Sequence, residues 1–434
     1  MNSQTETDSL LSWHAVPLAE FVGSNELLLL RGGDELFPAQ ARAIAAATHE
    51  VWLATYIFHF DAAGAALAAQ LVAAAQRGVR VRVVVDGFGS RASLPWLQKQ
   101  FEGTGVAMAV FRPIDRWYSW LQPGQLRRLH QKLCVVDGDH AFVGGINIIG
   151  DRVDLNHGDT EQARLDFAVG LRGPLVQSVA QAARAVWTRA WLGRDFGEEL
   201  LALVRSSEPG ARLRRLVQGL RLPRLSRRSR RRQDAESAPA LEPVCAAFVL
   251  RDNLRRRRTI ERAYIEAIRS AQQRVDLITP YFYPGHAFRK ALRDASRRGV
   301  QVRLLLQGKV DYRIAGMAAQ ALYAELLGHG VEIFEYTPAY LHAKVCVVDE
   351  SWATVGSSNI DPLSLLLNLE ANVIVQDAEF ARHVAAEFDA AAQVSRRVDM
   401  ASLGGVGLRG VLRRALVAWA AYVYLRVAGA TGRY

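Results

Sequence analysis

The chain repeats itself once, and that duplication limits what it can fold into more than any other feature. Residues 77–84 read RGVRVRVV and residues 298–305 read RGVQVRLL. Upstream, VWLATYIFHF (51–60) matches RVDLITPYFYPG (274–285). Downstream, LHQKLCVVDG (129–138) matches LHAKVCVVDE (341–350), and AFVGGIN (141–147) matches ATVGSSN (353–359). Helical Ala/Arg-rich stretches precede short runs that alternate apolar with polar residues as strands do. Each copy therefore reads as an α/β lobe around a mostly buried sheet.

The spacing of the copies predicts a first lobe over 1–204, a linker over 205–243, a second lobe over 244–395 and a C-terminal segment over 396–434. The linker carries eleven arginines between Arg205 and Arg232, with Pro and Ser among them. That composition favours a solvated arm, or one attracted to anionic lipid at about 1 kcal/mol per basic residue near the surface. The whole chain carries a net charge of +11, which selects anionic partners: nucleic acid or acidic lipid head groups. Only five of its 54 basic residues are lysine, so lysines kept at matched positions of the two copies, Lys132 and Lys344, are informative.

Three cysteines, Cys134, Cys245 and Cys346, have no metal-ligand spacing and suit a reducing compartment without a disulfide framework. Cys134 and Cys346 read as small core residues. Met1 to Trp13 is polar without a basic start, so no signal peptide is expected. No run of 18 apolar residues suggests a spanning helix. Ala415 to Leu425 is uncharged, contains Trp419 and is bracketed by Arg413, Arg414 and Arg426. At about 16 Å as a helix it is too short to cross a bilayer, and it reads as an interfacial helix or a terminal helix packed on the protein.

Each copy contains His-x-Lys-x4-Asp: His130, Lys132 and Asp137, then His342, Lys344 and Asp349. Residues two apart on a strand face the same side, so each histidine projects with its lysine. The aspartates close the motif at the strand end, where the odd spacing favours a backbone-fixing role over direct chemistry. Imidazole suits a nucleophile, acid or base near neutral pH, and two ammonium groups suit a developing phosphate charge. Asn147 and Asn359 are candidate amide donors to the same phosphate oxygens. A nucleophilic imidazole needs its second nitrogen held by a carboxylate. Glu370, 28 residues after His342, and Asp166, 36 residues after His130, stand at matched places before apolar strands. The other histidines, such as His59, His140, His157 and His286, read as surface or core residues.

The duplicated motif is similar to the signature of the phospholipase D superfamily, over about residues 24–395. The stretches VVVDGFGS (83–90), HQKLCVVDGDHAFVGGIN (130–147), YFYPG (281–285), LHAKVCVVDE (341–350) and VGSSNIDPLSLLLNLEANV (355–373) resemble the bacterial cardiolipin synthases, B type most of all. The resemblance implies two αβα sandwich lobes sharing an active site at a pseudo-twofold interface. It implies ping-pong transfer through a phosphohistidine, with His130 as nucleophile and His342 as acid/base, or the reverse. It implies no cofactor and no metal, phosphatidylglycerol as donor and acceptor, and glycerol as leaving group. The setting it implies is peripheral, on the cytoplasmic face of a bacterial inner membrane. The arginine arm and the basic C-terminal segment depart from the family pattern.

An enzyme acting on a bilayer must bring its cleft to the head groups. Trp117 and Trp120 precede the first motif and Tyr340 precedes the second, so with Trp419 they are candidate interface residues. Arg116, Arg127 and Arg128 would meet phosphates beside them. Two other readings stay open: a phosphodiesterase that hydrolyses phospholipid or, less readily, nucleic acid, and a non-catalytic basic membrane-binding protein. The motifs do not choose between water and an alcohol as acceptor, and they leave the oligomeric state unknown.

Overall fold

A computed structural model describes residues 19–113, 127–155, 158–204, 244–251, 258–309, 322–361 and 368–401. The first lobe runs β1 (Val22–Arg31), α1 (Gly32–Ala46), β2 (Glu50–Thr55), α2 (Ala62–Gln76), β3 (Arg80–Asp86), α3 (Leu94–Phe101) and β4 (Ala107–Phe111). It continues with β5 (Leu133–Val136), β6 (His140–Gly144), the short pair β7 (Val153–Asp154) and β8 (Gly158–Asp159), β9 (Phe167–Arg172) and α4 (Val176–Val204). The second lobe runs β10 (Val244–Arg251), α5 (Thr259–Ser270), β11 (Arg274–Thr279), α6 (His286–Arg297), β12 (Gln301–Gln307) and β13 (Glu332–Tyr336). Then come β14 (Val345–Val348), β15 (Trp352–Gly356), β16 (Glu370–Gln376), α7 (Ala378–Gln393) and β17 (Arg396–Val398).

Local chemistry explains the elements. α2 is largely alanine, the residue that loses least on entering a helix. The Asp61 carboxylate caps it, accepting from the Gly64 N–H at 2.8 Å. Its buried face, Leu67, Ala68, Leu71 and Ala74, follows helical spacing. β5 and β14, LCVV and VCVV, are buried on both faces, which is why they read as unbroken apolar runs. Cys134 and Cys346 are free and buried within them, and burial pushes the Cys134 thiol up to about 12.

One sheet crosses both lobes. Its order is β17-β13-β12-β11-β14-β15-β16-β10-β1-β9-β6-β5-β2-β3-β4. At its centre β1 runs antiparallel to β10, pairing Val22 with Ala246 and Asn25 with Val244. Outward from that seam the two halves match strand for strand as far as β4 and β13, and β17 adds one further strand beyond β13. β2, β3 and β4 are parallel, as are β11, β12 and β13. The repeat thus appears as one α/β lobe used twice, but the two lobes are joined by strand pairing into a single sheet. α4 and α7 cover one face over a core common to both lobes. On the other face α1 to α3 cover the first lobe, and α5 and α6 the second.

The second lobe runs past the expected boundary at 395, because β17 pairs with β13 through Ile333 and Val398. Residues 205–243, Trp117, Trp120, Trp419 and Ala415 to Leu425 lie outside the described residues. Among the described residues no helix is long and apolar enough to cross a membrane.

Candidate active site

The seam ends where the two motifs meet. Ahead of β5, Leu129 forms a parallel bridge with Leu369 of the other lobe, and ahead of β14, Leu341 does the same with Leu165. The backbone bonds are reciprocal: His130 N donates to Leu369 O at 3.0 Å, and His342 N donates to Leu165 O at 2.9 Å. Each histidine therefore sits beside the residue immediately before the other lobe's acid. The two imidazole rings lie 6.5 Å apart between centroids.

This crossing changes the pairing expected within each repeat. Glu370 holds His130, not His342: its Oε2 accepts from His130 Nδ1 at 2.9 Å. Asp166 holds His342, not His130: its Oδ2 accepts from His342 Nδ1 at 2.6 Å. A carboxylate can only accept, so each Nδ1 carries the proton and each Nε2 is left with a lone pair. Glu370 is fully buried and also accepts from the Ser357 hydroxyl at 2.5 Å. Burial opposes its charge, but His130, Lys132 and the Ser357 hydroxyl together hold it below the usual carboxylate range. Asp166 is set differently: burial raises it to about 6 against the pull of Lys344 and the Phe167 N–H.

Both lysines are buried, Lys132 at 6% and Lys344 at 1% exposure. Lys132 Nζ donates to His130 O at 2.8 Å, and Lys344 Nζ donates to His342 O. Each ammonium thus lies along its own histidine's backbone, as the two-residue spacing predicts. Burial lowers Lys132 to about 7 and Lys344 to about 8, with each lysine facing both Glu370 and Asp166. Burial and the neighbouring ammonium groups hold both imidazoles below their ordinary value, His342 well below. His342 is the more open of the two, with its side chain 23% exposed against 11% for His130.

Asp137 and Asp349, written into the motif with the catalytic pairs, are not brought to this cleft. Each lies past the far end of its strand, about 17 Å along the chain from its lysine at the usual strand rise. Asp137 accepts from the backbone of Thr48, His49 and Glu50, each at 2.8 Å, and from the Thr48 hydroxyl at 3.0 Å. Asp349 accepts from Gln272, Gln273 and Arg274 in the same way. Both sit at positive φ, 51° and 52°, a turn conformation that aspartate tolerates better than most residues. They clamp the start of β2 and β11.

Asn147 and Asn359 are buried at matched places after β6 and β15. Asn147 Oδ1 accepts from the Ile57 N–H at 3.2 Å, which fixes that end of the amide as the acceptor. Tyr340 is half-buried, with its carbonyl accepting from Leu165 N and Lys309 over its ring at 5.8 Å. Arg128 is turned inward, 8% exposed and 3.7 Å from the Asp86 carboxylate, rather than presented on a lip.

Several functional neighbours escaped sequence reasoning. Tyr56 lies against His130 at 5.1 Å between ring centroids, with Lys132 Nζ 5.7 Å from its ring. Its repeat counterpart is Pro280, so matching the copies gives no sign of it. Asp86 and Gln307 were within reach, since VVVDG (83–87) matches LLLQG (304–308). Asp86 Oδ2 accepts from Leu129 N at 2.9 Å, and Gln307 Oε1 accepts from Leu341 N at 2.8 Å. Each anchors the residue immediately before a histidine.

With that geometry in place, the relatives are informative. A family model described as cardiolipin synthase, PLD-like domain, matches residues 41–159 and 264–392. Cardiolipin synthase B of Escherichia coli (strain K12) is 37% identical over 356 residues, covering 82% of this chain and 78% of that protein. Cardiolipin synthase A of Pseudomonas entomophila is 30% identical over 397 residues, covering 90% of this chain and 74% of that protein. Among solved structures, a phosphatidylserine synthase from Haemophilus influenzae superposes with a TM-score of 0.60 at 14% identity, over 96% of this chain and 99% of that one, a likeness of fold. The duplicated lobes, the crossed histidine–carboxylate pairs and these relatives agree that the chain belongs to the cardiolipin synthase family with phospholipase D-like domains.

Proposed function

We propose that the protein is a cardiolipin synthase: it transfers a phosphatidyl group from one phosphatidylglycerol to another, releasing glycerol. The observation that carries this reading is the facing pair of imidazoles, 6.5 Å apart, each with its Nδ1 tied to a carboxylate of the other lobe. A phosphorus atom between them meets the His130 Nε2 lone pair on one side, and the leaving oxygen meets a His342 Nε2 protonated under the influence of the substrate phosphate on the other. That is the arrangement an in-line displacement on a phosphodiester requires.

His130 Nε2 attacks phosphorus, and the bond from phosphorus to the glycerol oxygen breaks. His342 gives that oxygen a proton, and glycerol leaves. The hydroxyl of a second phosphatidylglycerol then gives its proton to His342 and attacks the phosphohistidine, and the phosphorus–nitrogen bond breaks. The substrate phosphate supports this cycle by raising the proton affinity of His342, which burial and the lysines otherwise lower. Lys132 and Lys344 face the charge on the non-bridging oxygens, with Asn147 and Asn359 as further donors. The order of the histidines follows their settings. His130 is more enclosed and holds an ionised partner, while His342 is more open to exchange protons with an alcohol.

The reading puts the enzyme at the cytoplasmic face of the bacterial inner membrane as a peripheral protein, with Trp117, Trp120, Tyr340 and Trp419 as its interface candidates. The test is turnover on phosphatidylglycerol vesicles with and without chelator, with products separated by lipid mass spectrometry. Cardiolipin and glycerol, lost in His130→Ala and in His342→Ala, support the reading. Phosphatidic acid as the sole product replaces it with hydrolysis.

A further inference from the structure

The two lobes match closely enough that their differences can be placed residue by residue. Strand pairing sets Asp86 opposite Phe111 in the first lobe and Gln307 opposite Tyr336 in the second. The next residues confirm the register: Gly87 N donates to Phe111 O at 2.8 Å, and Gly308 N donates to Tyr336 O at 2.9 Å. Arg112 therefore corresponds to Thr337. Counting back from the histidines, Arg127 corresponds to Ala339 and Arg128 to Tyr340. Among the described residues around this rim, the second lobe has a single exposed lysine, Lys309, whose Nζ donates to Pro338 O at 3.0 Å. The first lobe has three arginines at positions that are uncharged in its twin.

Those arginines are packed together. Arg112 NH1 donates to Arg127 O at 3.3 Å, and Arg128 NH1 donates to Arg112 O at 3.1 Å. Arg112 and Arg189 both lie against the Phe111 ring, at 5.4 and 5.7 Å. Burial, and then the charges of Arg189, Arg127 and Arg128, depress the Arg112 guanidinium to about 10, with Asp86 pulling the other way. Like charges held this close are eased by an anion, and a guanidinium fits phosphate oxygens in pairs.

The cluster is next to the reacting centre. The Asp86 carboxylate acts on both Arg112 and Lys132. Arg128 precedes His130 by two residues, about 7 Å along an extended chain. In the product of the proposed reaction, a three-carbon glycerol bridge joins two phosphates. When one phosphate is at His130, the other must lie a short distance to one side.

We propose that Arg112 and Arg127, backed by Arg128, form a binding site for the phosphodiester of the acceptor lipid. The inference rests on the phosphatidyl-transfer reading and deepens it. It explains how a nearly symmetric cleft tells its two similar substrates apart: the acceptor phosphate sits on the first-lobe side. An acceptor that carries a phosphate gains from the site, and free glycerol, which carries none, does not.

The test uses the full chain on phosphatidylglycerol vesicles with labelled glycerol in solution. Cardiolipin formed and label exchanged into phosphatidylglycerol are measured together for wild type, Arg112→Gln, Arg127→Gln and the double variant. The expected result is a fall in the ratio of cardiolipin to exchange of about tenfold in the double variant, with partial recovery in Arg112→Lys. Weaker attachment to the vesicle, or misfolding, lowers both products alike, so an unchanged ratio overturns the proposal. A wild type that makes neither product overturns the transfer reading instead. Calorimetric titration with dihexanoyl phosphatidylglycerol then judges the cluster alone: two sites per chain reduced to one in the double variant supports it, and equal stoichiometry overturns it.

Discussion

Glu370 Oε2 holds His130 Nδ1 at 2.9 Å across 240 residues of sequence and from the opposite lobe. Asp166 does the same for His342 across 176 residues. Neither lobe alone contains a histidine with its carboxylate, so the docking of the lobes and the assembly of the site are one event. The β1–β10 pairing that joins the sheet makes that docking part of the fold.

The first prediction follows from the tautomer that Glu370 imposes. In Glu370→Gln the amide can turn its NH2 toward Nδ1 and leave the lone pair on the wrong nitrogen. Loss of such a carboxylate costs up to about 10⁴ in kcat. We expect a fall of at least about a hundredfold in kcat, with vesicle binding retained. A variant that keeps a tenth of wild-type kcat would mean the pair does not set the reactive form.

The pH profile follows from the buried charges. Asp166 must be ionised to accept from His342, and burial places its protonation near 6, so activity falls as pH drops through that value. Burial places loss of the ammonium near 7 for Lys132 and 8 for Lys344, so activity falls again on the alkaline side. These groups act on one another, so the two limbs belong to the cluster rather than to single residues. A bell-shaped kcat/KM profile with its maximum between about pH 6 and 8 is expected. A flat profile from about pH 5 to 9 would sink this account.

Much of the site was readable because it obeys strand periodicity. His130 and Lys132, two residues apart, share a face, and each β-run that follows is buried on both sides. The candidate acids were readable too, since Asp166 and Glu370 stand at matched places. Their partners were not, because spacing within a repeat carries nothing about which surfaces of two repeats meet. Tyr56 was hidden for a related reason: its counterpart is a proline, so only the fold shows that it packs on His130. Asp137 shares a motif with a catalytic pair, but its odd spacing from His130 already favoured a backbone-fixing role, and its carboxylate binds the Thr48, His49 and Glu50 N–H groups at the far end of the strand.

Asp137 therefore offers a prediction about stability instead of chemistry. It closes three backbone N–H groups at the start of β2, much as a helix cap does. Asp137→Ala should cost about 1–2 kcal/mol in denaturant unfolding, while the folded variant keeps wild-type kcat. Burial is the largest single influence on this carboxyl and raises it, but the Glu50, Thr48 and His49 N–H groups together outweigh it and hold it below its ordinary value. Its contribution is thus present above the unfolded carboxylate pKa and lost as pH falls through the lower, folded one. The gap between wild type and Asp137→Ala should close at acid pH. A gap that persists there, or a folded variant without activity, would contradict this role.

Gly145 and Ser357 occupy the same place in the two lobes, and the site needs each to be what it is. Ser357 donates its hydroxyl to Glu370 at 2.5 Å, on the acid that serves His130. At Gly145 a Cβ would lie 2.3 Å from Asp166 Oδ1, so no side chain fits against the shorter acid that serves His342. Asp166 is buried, and its Oδ1 already accepts from Phe167 N at 2.8 Å, which leaves it little room to yield. Gly145→Ala should therefore push the carboxylate away from His342 and lower kcat by about a hundredfold or more, on the scale of a lost orienting acid. Ser357→Ala keeps the backbone and removes one hydrogen bond to a charged group, worth about 1.5–3 kcal/mol, so its kcat should fall by roughly ten- to a hundredfold. It should also raise the pH at which Glu370 protonates, while the acid limb stays where Asp166 sets it. In Gly145→Ala, phosphohistidine formation on His130 and cardiolipin synthesis should both slow when followed by rapid quench, because His342 protonates the leaving glycerol in the first step and takes the acceptor's proton in the second. Phosphohistidine formation at the wild-type rate would show that His342 is not the acid of the first step.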